Sequence, residues 1–169
     1  LAGVDFGYTN PTAIPYVKVK DGAYYVTNEL YRTGMTDDEV ADYVSAQKFN
    51  KVYPDPAAPE AIETMRRKGV NVREVKKGAD SIAHGVSTIR ELFKQNRLFI
   101  HTSCLNLISE LETYSYADSK TERNESEKPL DKFNHAIDAL RYVVMTHTIQ
   151  KPFVQKPWRD STIEIWRGR

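Results

Sequence analysis

The sequence predicts an α/β domain built on a mixed sheet of five or more strands, the first three antiparallel and the later ones parallel, with helices on both faces. Three observations predict it. The chain opens with three strand patterns in meander order, a hairpin signal joins two of them, and helical and extended patterns alternate after residue 36. At 169 residues the chain is long enough for one unit with its own hydrophobic core and short for two. The expected unit spans residues 1–148, with residues 149–169 as a C-terminal tail.

Each element has its own signal. Residues 2–6 read as a buried strand, and "AIPYVKVK" and "AYYVTNELY" as two more, joined by Asp21-Gly22, a pair that favours a type I′ turn. Thr36, with Glu39 three residues on, has the form of a capping box for the helix "DDEVADYVSAQK". "KVYPD" is the next strand, followed by a helix from Pro59 to Lys68 that Gly69 stops. "VNVREV" then reads as a strand, "DSIAHGVSTIRELFKQN" as a helix and "RLFIH" as a short strand. Helices over about 103–113 and 132–148 close the core. The polar, aperiodic "DSKTERNESEKP" is expected to be a loop or a hairpin tip. Starting on Leu1 inside a strand pattern, the chain is expected to be a piece of a longer polypeptide.

Composition narrows the function classes. Hydrophobic residues at 40% and charged residues at 28% are ordinary for a globular protein. No apolar run approaches the ~18 residues of a membrane span, so no membrane partner is expected. Cys104 is the only cysteine, which excludes an internal disulfide and a thiolate zinc cluster and suits a reducing cytoplasm. The net charge of +1 carries no argument, but its distribution does: between Thr64 and His101 nine basic residues face three acidic ones, and between 117 and 131 the balance reverses. Such a basic region suits a phosphate backbone, or it is a set of solvated helix faces.

Three aspartates carry the chemistry. Asp5 closes the first strand in "GVDFGYTNPTAI", and Asp55 closes a later one in "VYPDPAAPE". In a mixed sheet the reactive site lies beyond the carboxyl ends of the parallel strands. Asp138 sits inside "NHAIDALRYVV", a helix apolar around most of its circumference, where a carboxylate needs a partner. Clustered carboxylates repel unless a cation neutralises them. Oxygen donors without thiolate favour Mg²⁺ or Mn²⁺, and two such ions can promote phosphodiester hydrolysis. Each residue also has a structural reading. Asp5 before Gly7 can be a turn residue or part of a phosphate-binding loop, Asp55 between two prolines a turn residue, and Asp138 the partner of Arg141 or of a tyrosine. His135, three residues before Asp138, shares its helix face and could contact a phosphate or a metal-bound water. Lys77 follows "VNVREV" at another strand end, where it offsets phosphate charge or is simply solvated.

The ordered blocks "GVDFGYTNPTAI", "YPDPAAPE", "VREVKKGADSIAHGVSTIRELF", "LISELETYSYA" and "DKFNHAIDALRYVV" resemble the nuclease domain of the large terminase subunit of tailed bacteriophages. That resemblance covers about residues 1–148. It implies a ribonuclease H-like fold and a metal-dependent endonuclease that cuts concatemeric viral double-stranded DNA during packaging, in the cytoplasm of an infected bacterial host. Asp5, Asp55 and Asp138 match the acidic triad of that family, with Asp5 shared between two metal ions; Lys77 and His135 fall in matching blocks. Implied partners are DNA, contacted mainly along its backbone, the ATPase domain of the same subunit, the small terminase subunit and the portal protein. The chain has no GxxxxGK[ST], so the ATPase motor is not within it. Three other readings stay open. They are a resolvase or transposase core, an actin- or sugar-kinase-like ATP-binding domain, and a ribonuclease H-like module that binds without cutting.

Overall fold

The computed structural model describes residues 1–75, 78, 80–113 and 134–147. Lys77, the acidic-and-basic stretch 117–131 and the tail 149–169 lie outside the described residues. The strands are β1 (Ala2–Val4), β2 (Thr12–Lys20), β3 (Ala23–Arg32), β4 (Val52–Pro54) and β5 (Leu98–Ile100). The helices are α1 (Asp37–Ala46), α2 (Pro59–Arg67), α3 (Ser81–Lys94), α4 (Leu105–Thr113) and α5 (His135–Thr146). The strands form one sheet in the order β4-β1-β2-β3-β5. β1, β2 and β3 pair antiparallel, while β4 on β1 and β5 on β3 pair parallel, so the expected mixed sheet is observed.

Local signals explain several of these elements. Asp21 and Gly22 both have positive φ, 50° and 81°, as a type I′ hairpin turn requires. Thr36 and Glu39 make the capping box of α1, each side chain bonded to the other's backbone N–H. Gly69 ends α2 with φ at 78°, a left-handed value that suits glycine.

The strand expected over "VNVREV" does not form. Val72 makes only an isolated parallel bridge to Val52. The Val52 N–H donates to Asn71 O at 3.0 Å, and Val52 O accepts from the Arg73 N–H at 2.7 Å. The next bond in this ladder would need an N–H from Pro54, which has none, so pairing stops there.

Two hydrophobic cores lie on opposite faces of the sheet. One packs α3, α4 and α5 on Ala13, Val17, Tyr24, Val26 and Leu98; the other packs α1 and α2 on Ala2, Val4, Ile14 and Val52. A bulge in β3 controls which residues face which core. Tyr16 pairs with Asn28 and Val17 with Val26, so Thr27 is the extra residue. Side chains alternate along a strand, and one extra residue reverses the alternation. Tyr24 and Val26 point to the α5 side, and beyond the bulge Tyr31 does so while Leu30 turns to the α1 side.

Candidate metal centre

The carboxyl ends of the two parallel strands β1 and β4 are in register. Val4 pairs with Pro54, and the Asp55 N–H donates to Val4 O at 2.8 Å, which sets Asp55 one step past the strand end beside Asp5. Asp5 itself is held by a two-bond bridge to Ala13, at 3.0 and 2.9 Å. The third carboxylate arrives on α5, which crosses β1 at unusually close range. A Cβ added to Gly3 would sit 1.8 Å from Ala139 O. Only a glycine lets the helix backbone approach that strand, and Asp138 is the neighbour of Ala139.

Each aspartate has a protein partner. Asp5 Oδ2 lies 2.9 Å from His135 Nδ1. Asp55 accepts the Ala57 N–H at 2.8 Å through Oδ1 and the Tyr142 hydroxyl at 3.0 Å through Oδ2. Asp138 Oδ1 accepts from Arg141 Nε at 3.0 Å and Nη2 at 2.8 Å. The structural readings of Asp55 as a turn residue and of Asp138 as the partner of Arg141 are therefore both realised, alongside the convergence. Arg141 is buried, donates Nη1 to Ser81 O at 3.2 Å and lies across Gly85, where a Cβ would meet its Cδ at 2.7 Å.

Electrostatics report the convergence. Burial pushes the Asp5 carboxyl up to about 6; the His135 hydrogen bond opposes this, and the charges of Asp138 and Asp55 add to it. Burial also raises the Tyr142 hydroxyl far above its usual value, reinforced by Asp55, Asp5 and Asp138 in that order. Three carboxylates thus act on one small region from two strand ends and one helix.

Does this donor set suit a divalent cation? Among the described residues, no three His, Cys, Asp or Glu side chains stand close enough as placed to enclose an ion. The aspartates are turned onto Arg141, Tyr142 and His135 instead. The chemistry nevertheless fits: the donors are carboxylate oxygens, burial and then the neighbouring charges of Asp138 and Asp55 keep Asp5 hard to ionise, and a hard cation offsets that penalty. A phosphate-binding loop fits less well, because the Gly7 N–H that would face an anion is donated to Thr12 Oγ1 at 3.1 Å.

Sequence reasoning brought Asp5, Asp55, Asp138 and His135 together, and the structure places them at one end of the sheet. It missed Gly3 and Tyr142. Gly3 stands in the quoted "GVDFG" block, but its role depends on a helix that arrives about 136 residues later. Tyr142, four residues after Asp138, shares its helix face, and that spacing was the available signal.

Comparison with known proteins gives consistent results. The family model described as "Terminase RNAseH like domain" matches residues 5–146. The chain is 30% identical over 151 residues to the terminase large subunit of Escherichia phage T5, covering 84% of this chain and 34% of that protein. The chain therefore spans about a third of that curated relative. Among solved structures, the large terminase of a thermophilic bacteriophage, in complex with ATP-gamma-S, superposes with a TM-score of 0.76 at 25% identity, covering 86% of this chain and 39% of that one. The g2p nuclease domain of bacteriophage SPP1, solved with bound Mn, superposes with a TM-score of 0.67 at 28% identity, covering 83% and 82%.

Proposed function

The chain belongs to the terminase ribonuclease H-like domain family, and from that premise we propose that it is a divalent-metal-dependent DNA endonuclease that cuts concatemeric viral double-stranded DNA during genome packaging. The observation that carries this reading is the convergence of Asp5, Asp55 and Asp138 beyond the ends of β1 and β4. Mn bound to the SPP1 nuclease domain supports the choice of cation.

In this reading Asp5, Asp55 and Asp138 would hold two Mg²⁺ or Mn²⁺ ions, with Asp5 a ligand to both. When bound, the ions would lower the proton affinity of the attacking water and stabilise the leaving oxygen. The chain's own residues prepare the place. Tyr142 and the Ala57 N–H orient the Asp55 carboxylate, Arg141 holds Asp138, and His135 holds Asp5 Oδ2. Arg141, fixed by Ser81 O, keeps a positive charge beside the cluster until a cation arrives. Lys77 is proposed to offset charge on the DNA backbone.

DNA contact is proposed to be backbone-directed, hence salt-sensitive, with little sequence preference. The ATPase domain of the same subunit, the small subunit and the portal protein are the proposed partners, and the host cytoplasm the proposed place of action. The test is cleavage of supercoiled plasmid with Mg²⁺ or Mn²⁺ against EDTA. Metal-dependent nicking is expected in the parent chain, and its loss in Asp5→Ala and Asp138→Ala with the fold retained. Full activity in either variant would sink the assignment.

A further inference from the structure

The first turn of α5 carries His135 and Asp138, yet its own sequence does not cap it. Asn134 makes no side-chain cap bond, and the leading amides of a helix have no partner inside it. Glu110 of α4, 4% exposed, supplies one. Its Oε2 accepts the Ile137 N–H at 2.9 Å, while its Oε1 accepts the Tyr31 hydroxyl at 2.8 Å. The neighbouring Ala136 N–H dipole also favours the charged form of this carboxylate. A buried anion at this end also meets the positive end of the helix dipole.

Glu110 is itself held in place. α4 is capped by Glu29, whose Oε1 accepts the Asn106 backbone and side-chain N–H groups at 2.7 and 2.9 Å and whose Oε2 accepts the Leu107 N–H at 3.0 Å. Glu29 and Tyr31 lie two apart on β3 and reach this side of the sheet because the bulge at Thr27 reverses the strand's alternation. A carboxylate relay therefore runs from β3 through α4 to α5.

We infer that Glu110 is a positioning residue for the candidate centre, fixing the first turn of α5 and with it the places of His135 and Asp138 relative to Asp5. The inference rests on the metal-centre reading above. His135 is the first residue of that turn, and its bond to Asp5 at 2.9 Å is lost if the turn moves by about 1 Å.

Two measurements test it. Amide hydrogen exchange on the metal-free protein reads the cap: in Glu110→Ala the Ile137 amide should exchange about tenfold faster, as loss of a buried partner implies. Glu110→Gln, which keeps one acceptor oxygen in the same shape, should restore part of the protection. Nicking of supercoiled plasmid across a Mn²⁺ titration reads positioning: the half-saturating Mn²⁺ should rise several-fold in Glu110→Ala. Leu107→Ala is the control, a core truncation on the same helix whose apolar side chain offers α5 no hydrogen bond, and it should leave that concentration unchanged. Unchanged exchange at Ile137 would overturn the cap. Faster exchange with unchanged Mn²⁺ demand, or an equal rise in Leu107→Ala, would overturn the positioning role. A parent protein with no Mn²⁺-dependent nicking overturns the metal-centre reading, and the positioning role with it, while the exchange result still decides the cap.

Discussion

Helices α1 and α5 begin in opposite ways. α1 is capped by residues three apart, with the Thr36 N–H on Glu39 Oε2 at 2.8 Å and the Glu39 N–H on Thr36 Oγ1 at 3.3 Å, both exposed. α5 takes its cap from Glu110, 27 residues earlier and buried, and α4 takes its own from Glu29, 77 to 78 residues earlier. The difference is one of replacement. When an exposed cap is lost, water takes its place; when a buried one is lost, nothing does. The side of the sheet that carries the candidate centre thus depends on partners distant in sequence, and the α1 side depends on its own.

The largest expected effect comes from closing the gap through which α5 reaches the sheet. Gly3→Ala puts a methyl group onto Ala139 O, and urea unfolding should show a loss of about 3 kcal/mol, the upper end for overpacking. A loss no larger than an exposed substitution gives would mean that α5 can retreat, and the comparison would weaken.

Next is the burial of Asp5 beside its charged neighbours. Asp5→Asn should stabilise the protein in EDTA by about 2 to 3 kcal/mol near neutral pH, because the carboxyl sits about two pKa units above its ordinary value and one unit corresponds to about 1.4 kcal/mol. The sign follows from the shift. The Asp5 carboxyl titrates at about 6 in the folded chain against an ordinary 3.8, so the folded state binds more protons between those values and stability falls as pH rises from about 4 to 6. Asn at position 5 should flatten that part of the melting-temperature profile. An equal slope in both proteins would mean that Asp5 is not the buried group that titrates in this range.

Smaller effects set the two caps against each other. Glu29→Ala leaves the exposed Asn106 amide and the half-buried Leu107 amide without their acceptor and should cost about 1 kcal/mol. Thr36→Ala removes an exposed cap and should cost about 0.5 kcal/mol. Chemical denaturation of both variants checks the order, and a reversed order would show that the half-buried Leu107 bond adds nothing beyond an exposed cap.

Much of the fold was legible because its signals are short-range. The Asp21-Gly22 turn, the Thr36 and Glu39 box and the Gly69 stop each lie within a few residues of what they control. The three candidate aspartates stood out for a different reason: Asp5 and Asp55 stand at strand ends and Asp138 in an apolar helix, so position and patterning single them out. "VNVREV" misled because its side-chain pattern suits a strand, while its pairing depended on the neighbouring Pro54, which has no N–H to give. Glu29 and Tyr31 could not be assigned to a face by period-2 reading, since the Thr27 bulge shifts the parity halfway along β3.

By itself the sequence determined the mixed α/β class, the order of its helices and most of its strands, and which carboxylates had to be accounted for, because propensity, turn chemistry and hydrophobic period act between near neighbours. Tertiary structure alone decided that α5 would rest on Gly3, that Asp5, Asp55 and Asp138 would share one field, and that Glu110 would cap the helix bearing two of the candidate residues. Those outcomes depend on close packing and on burial, which make a contact costly to lose only after distant segments have met.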